Sequence, residues 1–145
     1  MDMKIKTIHV LASAMLLLIG GCSDTVSTHY PTRGQAEADI LFQRGWLPIL
    51  IPASARDITT SNDLDINASK GEFWYDPKDT NSFLSLLKPY SGHKPKHDRR
   101  YDYVAKQKKE GYEAFEYESE NSIWVFLING EKGHALYNMW QINGS

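Results

Sequence analysis

The chain has 145 residues and a single cysteine, Cys22. No internal disulfide can form, and neither a cysteine-rich zinc site nor a CxxC pair is available, so any folded domain must stand on its apolar core. The residues allow this: 41% are hydrophobic and 23% charged, as in ordinary globular chains. About 110 residues behind an N-terminal appendage are enough to bury a core. Sixteen Lys and Arg against 18 Asp and Glu leave a formal charge of -2. A nucleic-acid binder needs a concentrated basic face, so no nucleic-acid partner is expected. Nor does this charge attract the chain to an anionic membrane.

The surroundings of Cys22 give it a role. Lys4 and Lys6 precede an apolar run from Val10 to Ile19, "VLASAMLLLI". A membrane-spanning helix needs about 20 such residues, whereas a run of this length matches the apolar region of a secretory signal. Ile19, Gly20, Gly21 and Cys22 then form "LIGGC", which resembles the lipobox of bacterial lipoproteins. The resemblance implies cleavage between Gly21 and Cys22, a diacylglycerol on the Cys22 thiol and an N-acyl group, such as palmitate, on the new amino terminus. Two or three acyl chains on one residue anchor a protein far more firmly than one. Ser23 follows the cysteine and Asp24 comes one place later, a pattern that by the sorting rule of enteric bacteria implies the outer membrane, facing the periplasm. Cys22 as a catalytic nucleophile would need a depressed pKa and a histidine beside it, which a cleavage site does not offer. The expected organisation is a signal peptide over 1–21, a lipidated tether over 22–32 and one globular domain over 33–145.

Within that domain, Thr32 and Gln35 are spaced as a capping box, predicting a first helix through Ala36, Ile40 and Leu41 to a stop at Gly45. "WLPILIP" reads as a short extended segment broken by Pro48 and Pro52. Ile58, Leu64 and Ile66, at even spacing in Arg56 to Asn67, predict a half-exposed extended stretch. "GEFWYDP" predicts a strand leading into a second helix, with Asp76 as N-cap, Pro77 in the first turn and Phe83, Leu84, Leu86 and Leu87 on its apolar side. A third helix is expected over Tyr101 to Glu110, closed by Gly111. "YEAFEYE", "SIWVFLI" and "HALYNMW" predict a three-stranded antiparallel meander whose middle strand, apolar on both faces, is covered on each side or packed in a dimer. The expected class is α+β: two to three helices with that C-terminal meander.

The residues that could carry chemistry are few. Asp63, Asp65 and Asn67 alternate like the start of a calcium loop, but Ala68 and Trp74 stand where Gly and Glu are required, so turn capping is the preferred reading. His93 and His97 are four apart, yet Pro95 separates them and Lys94, Lys96, Arg99 and Arg100 would repel a cation. That loop reads as a solvated basic surface open to an acidic partner or lipid headgroups. Trp124 and Trp140, with Tyr137 and His134, are either core or an exposed aromatic platform. The candidate interaction surface is therefore His93, Lys94, Lys96, His97, Arg99, Arg100, Trp124 and Trp140. No GxSxG, HExxH or glycine-rich phosphate loop occurs, and no catalytic residue, metal or cofactor is assigned.

"GWLP", "IPASARDI", "SNDLDIN" and "GEFWYDPKD", within Arg44 to Leu87, resemble a family of small bacterial proteins with a YbbD-type head domain. The resemblance implies that Gly45, Trp46, Pro48, Asp65 and Phe73 belong to one folded unit, and it carries no activity. The preferred role is a non-catalytic binding module at the envelope, with a protein partner there. An immunity-type lipoprotein against a periplasmic toxin is one alternative. A small envelope hydrolase is another, to be marked by His134 or His97 beside a carboxylate and a hydroxyl.

Overall fold

In a computed structural model of the chain, the residues described are 24–92, 107–108 and 110–142. They form one seven-stranded, wholly antiparallel sheet: β1 (Thr25–Thr32), β2 (Arg56–Asp63), β3 (Ala68–Trp74), β4 (Lys88–Pro89), β5 (Glu113–Glu118), β6 (Ser122–Asn129) and β7 (His134–Gln141), in the order β1-β2-β3-β7-β6-β5-β4. The fold is predominantly β, which overturns the expected α+β class. The expected meander β5-β6-β7 is present, but it is half of a larger sheet. A second meander, β1-β2-β3, joins it along the β3–β7 seam, where Ser69 pairs with Met139 and Trp74 with His134. Both edge strands carry a proline, Pro31 in β1 and Pro89 in β4, where a missing N–H breaks no ladder.

Thr25–Thr32, expected as tether, is β1, paired with β2 from Thr25↔Asp63 to Thr32↔Arg56. Apart from Val26 and Tyr30 it carries polar residues and Pro31, a weak apolar signal, so its strand state depends on β2 beside it. Asp57, at φ 47, sits in the register shift between Arg56 and Thr59 and supplies the bulge.

The capping box forms as read: Thr32 Oγ1 accepts from the Gln35 amide at 3.3 Å, and Gln35 Oε1 accepts from the Thr32 amide at 3.2 Å. Helix α1 (Arg33–Ala38) then ends seven residues short of Gly45. Ile40 takes a left-handed φ of 52, and the amides of Leu41 and Ile40 return to the carbonyls of Ala36 and Glu37. This is a Schellman closure with isoleucine where glycine is usual. Residues 41–44 make one further turn, closed the same way at Gly45 (φ 71), with Trp46 bonded to Leu41 and Gly45 to Phe42. "WLPILIP" continues as turns and not as an extended segment. Arg33 pins it by donating to the carbonyls of Ile51 and Ile49 at 2.5 and 3.1 Å.

After β3, Asp76 caps a 3-10 turn (Pro77–Asp79) by accepting from the Lys78 amide at 3.1 Å, and α2 (Thr80–Leu84) follows. Phe83 is buried on that helix while Leu86 is 56% exposed beyond its end. Of the third helix, Gln107 and Lys108 are helical and Gly111 follows at φ 86; the rest lies outside the described residues.

The core packs on one face of the sheet. Tyr30, Ile58, Phe73, Trp124, Phe126, Ile128, Tyr137 and Met139 meet Ala36, Leu41, Leu47, Ile51 and Phe83 from the covering segments. On β6 the alternate residues Ile123, Val125 and Leu127 are also buried, so the central strand is covered on both sides within one chain.

Candidate binding face

Alternation along β1, β2 and β3 sorts their residues by face. Tyr30, Ile58, Thr60, Asn62, Ser69 and Phe73 are buried on the core side. The paired residues between them, Ser27↔Ser61, His29↔Thr59, Ser61↔Lys70 and Thr59↔Glu72, share the opposite side. Together with Asn138 and Leu136 of β7 they line a concavity of about 950 Å³, open along the sheet and bordered by Ile66 of the β2–β3 turn. Its surface carries hydroxyls at Thr25, Ser27, Thr59 and Ser61, a cation at Lys70 and carboxylates at Asp63 and Glu72. His29 lies 3.7 Å from Asp57. Such a face offers many hydrogen-bond donors and acceptors of both charge signs, with an apolar floor patch at Leu136.

Two devices hold it in shape. Gly71 lets β3 pass close: a Cβ there would lie 2.0 Å from the Thr59 carbonyl and 2.9 Å from the Tyr137 ring and hydroxyl. Beneath it, Ser69 Oγ donates to Asn62 Oδ1 at 2.6 Å and reaches the Trp46 carbonyl at 3.1 Å, with the Tyr137 hydroxyl at 3.5 Å. Burial pushes the Tyr137 phenol far above its ordinary pKa, so it stays protonated.

At the margin, across the β3–β7 seam, stands a carboxylate–imidazole–phenol chain. His134 Nδ1 is 2.7 Å from the Tyr112 hydroxyl, and Nε2 is 3.5 Å from Glu72 Oε2. Trp74 stacks on the imidazole with centroids 4.2 Å apart. This is the juxtaposition set out above as the mark of a hydrolase. Burial lowers the His134 pKa, outweighing the pull of Glu72 and favouring the neutral ring. Burial, with help from Glu72 and Glu110, raises the Tyr112 pKa. A neutral imidazole is the form a general base needs, while burial keeps the Tyr112 phenol protonated, a hydrogen-bonding group at neutral pH.

Trp124 and Trp140 do not share a face, so they form no joint platform. Trp124 is 3% exposed and lies on the core face against Tyr137, whereas Trp140 pairs with Ile123 on the opposite face. His93, Lys94, Lys96, His97, Arg99 and Arg100 lie outside the described residues, as do Gly21 and Cys22. Asp63 does cap its turn, its Oδ1 accepting from the amides of Asp65 and Ile66 at 3.1 and 3.4 Å. Sequence reasoning missed the face itself; its signal was the parity of Thr59, Ser61 and Asp63 within "DITTSND".

The class these features define is an antiparallel-sheet domain with one packed and one polar concave face. Residues 24–74 match the family model of the YbbD head domain. The match covers β1, α1, β2 and β3, beginning earlier than the resemblance in Arg44 to Leu87 and ending before α2. The family-like segment is thus one of the two meanders, and its β3 edge is completed by β7. No curated protein and no solved structure matches the chain.

Proposed function

We propose that the chain is a lipid-anchored, non-catalytic binding module of the bacterial cell envelope, facing the periplasm from the outer membrane, with the polar concave face of β1, β2, β3 and β7 as its binding surface. The observation that carries the binding role is the concavity of about 950 Å³, rich in hydroxyls and mixed charges. The Glu72–His134–Tyr112 cluster at its margin keeps a small envelope hydrolase as the alternative reading. The anchor rests on "LIGGC". An immunity-type lipoprotein is the narrower form of the same reading.

Two experiments test it. Labelling cells with a palmitate analogue should mark the wild type and not Cys22→Ser, and membrane retention should follow the label; an unlabelled, soluble wild type sinks the anchor. A photo-cross-linking amino acid at Ser61 or Lys70 should give a discrete adduct in cells that one at the exposed Ile49 does not. Adducts equally at all three positions, or at none, sink the binding face. A delivered toxin in the adduct selects the immunity role, and a resident envelope component selects the general one.

A further inference from the structure

The sheet begins almost at the anchor. Asp24, two residues after Cys22, accepts from the Leu64 amide through its carbonyl at 3.1 Å, and Thr25 is already paired with Asp63. Two residues reach at most about 7 Å when fully extended. The headgroup layer of one leaflet is itself about 5–8 Å deep. A diacylglycerol on Cys22 therefore leaves Asp24, and the β2–β3 turn bonded to it, no farther out than the lipid headgroups.

That end of the sheet exposes several apolar side chains. Leu64 and Ile66 on the turn are 48% and 63% exposed, Val26 on the adjoining strand is 44% exposed, and Ile142, just past β7, is 41% exposed. The register puts Ile142 at the same end, since β7 pairs Met139 with Ser69, the residue next to the turn. The Asp63 carboxylate bonds back to the amides of Asp65 and Ile66, holding the turn shut with Leu64 and Ile66 outside it. Asp24, Asp63 and Asp65 cluster here too and would resist burial in hydrocarbon. Apolar side chains beside carboxylates suit the headgroup level, where apolar groups are covered and charges stay wet.

We propose that the β2–β3 turn, through Leu64 and Ile66, rests in the headgroup region of the membrane that holds the lipid, so that the sheet stands on the bilayer with β1 running away from it and the polar concavity opening beside the surface. This inference rests on the anchoring of Cys22. It places the far end of β1, with Arg33 and the Ile49 carbonyl it holds, about 24 Å from the turn, at about 3.4 Å per strand residue.

The lone cysteine makes the test clean, because an acylated Cys22 leaves no free thiol. Ile66→Cys and Ile49→Cys are each labelled with an environment-sensitive fluorophore in the mature protein purified from membranes. The protein is then reconstituted in phosphatidylethanolamine–phosphatidylglycerol vesicles containing a lipid with a nitroxide near the headgroup. Both positions are exposed, so neither substitution threatens the fold. Quenching several-fold stronger at residue 66 than at residue 49 is the expected result. Equal quenching at the two positions, with acyl groups on Cys22 confirmed by intact mass, overturns the docking while leaving the anchor standing. A mature protein whose mass lacks acyl groups and which does not join the vesicles overturns both.

Discussion

Across the β3–β7 seam the indole of Trp74 lies over the imidazole of His134, with ring centroids 4.2 Å apart and planes tilted by 33°. With Tyr112 bonded to Nδ1, this closes His134 on two sides where the two meanders meet. The seam ties the family-like meander to the rest of the sheet, so its titration bears on the stability of the whole sheet.

His134 has a folded pKa below its ordinary value of 6.5. The unfolded chain therefore binds a proton that the folded chain excludes. The stabilisation is complete above about pH 6.5 and is lost as pH falls from there toward the folded pKa. Urea midpoints should drop between about pH 7 and 5, and His134→Gln should flatten that slope. An unchanged slope in the variant would show that the ring does not titrate as described.

Gly71→Ala should destabilise the protein by at least about 3 kcal/mol, because the new methyl meets backbone as well as ring and β2 cannot recede without leaving β1 and β3. Chemical denaturation measures this. A loss below about 1 kcal/mol would mean that β2 and β3 are farther apart than described.

Ile40→Gly should do the reverse. The side chain is 46% exposed and the residue sits at φ 52, where a β-branched side chain is strained and glycine is not. A gain of about 0.5–1 kcal/mol in unfolding free energy is expected, with helix content unchanged.

Trp124→Ala should cost about 3–5 kcal/mol as a core truncation. Trp140→Ala, on the opposite and partly open face, should cost distinctly less. Similar losses for the two would return them to one shared environment.

Ser69→Ala removes the donor to Asn62, a residue 1% exposed, and the tie to the Trp46 carbonyl. A loss of about 1–3 kcal/mol is expected from the acceptor left unpaired, with a change in tryptophan emission reporting the loosened segment around Trp46.

Features that depend on neighbours along the chain were legible before any fold was known. The capping box of Thr32 and Gln35, the Asp76–Pro77 start, the turn cap of Asp63 and the hairpins of β5, β6 and β7 all form from residues a few positions apart. Their physics is local hydrogen bonding and alternation, which a linear reading can see. The burial of β6 on both faces was legible for the same reason, from its unbroken apolar run.

The remaining features needed partners far apart in the chain. Thr25–Thr32 has too little apolar surface to be a strand alone and becomes one because β2 offers an open ladder. Past the end of α1 the chain turns at Ile40 because Leu41 must enter the core, and that need outweighs the cost of a left-handed isoleucine. Trp124 and Trp140 look alike in sequence, but they lie on opposite faces of the sheet because register sets the parity of every side chain. Glu72, Tyr112 and His134 meet only because β3 and β7 pair across 60 residues of chain. No local signal specifies that pairing; burial of the common core does.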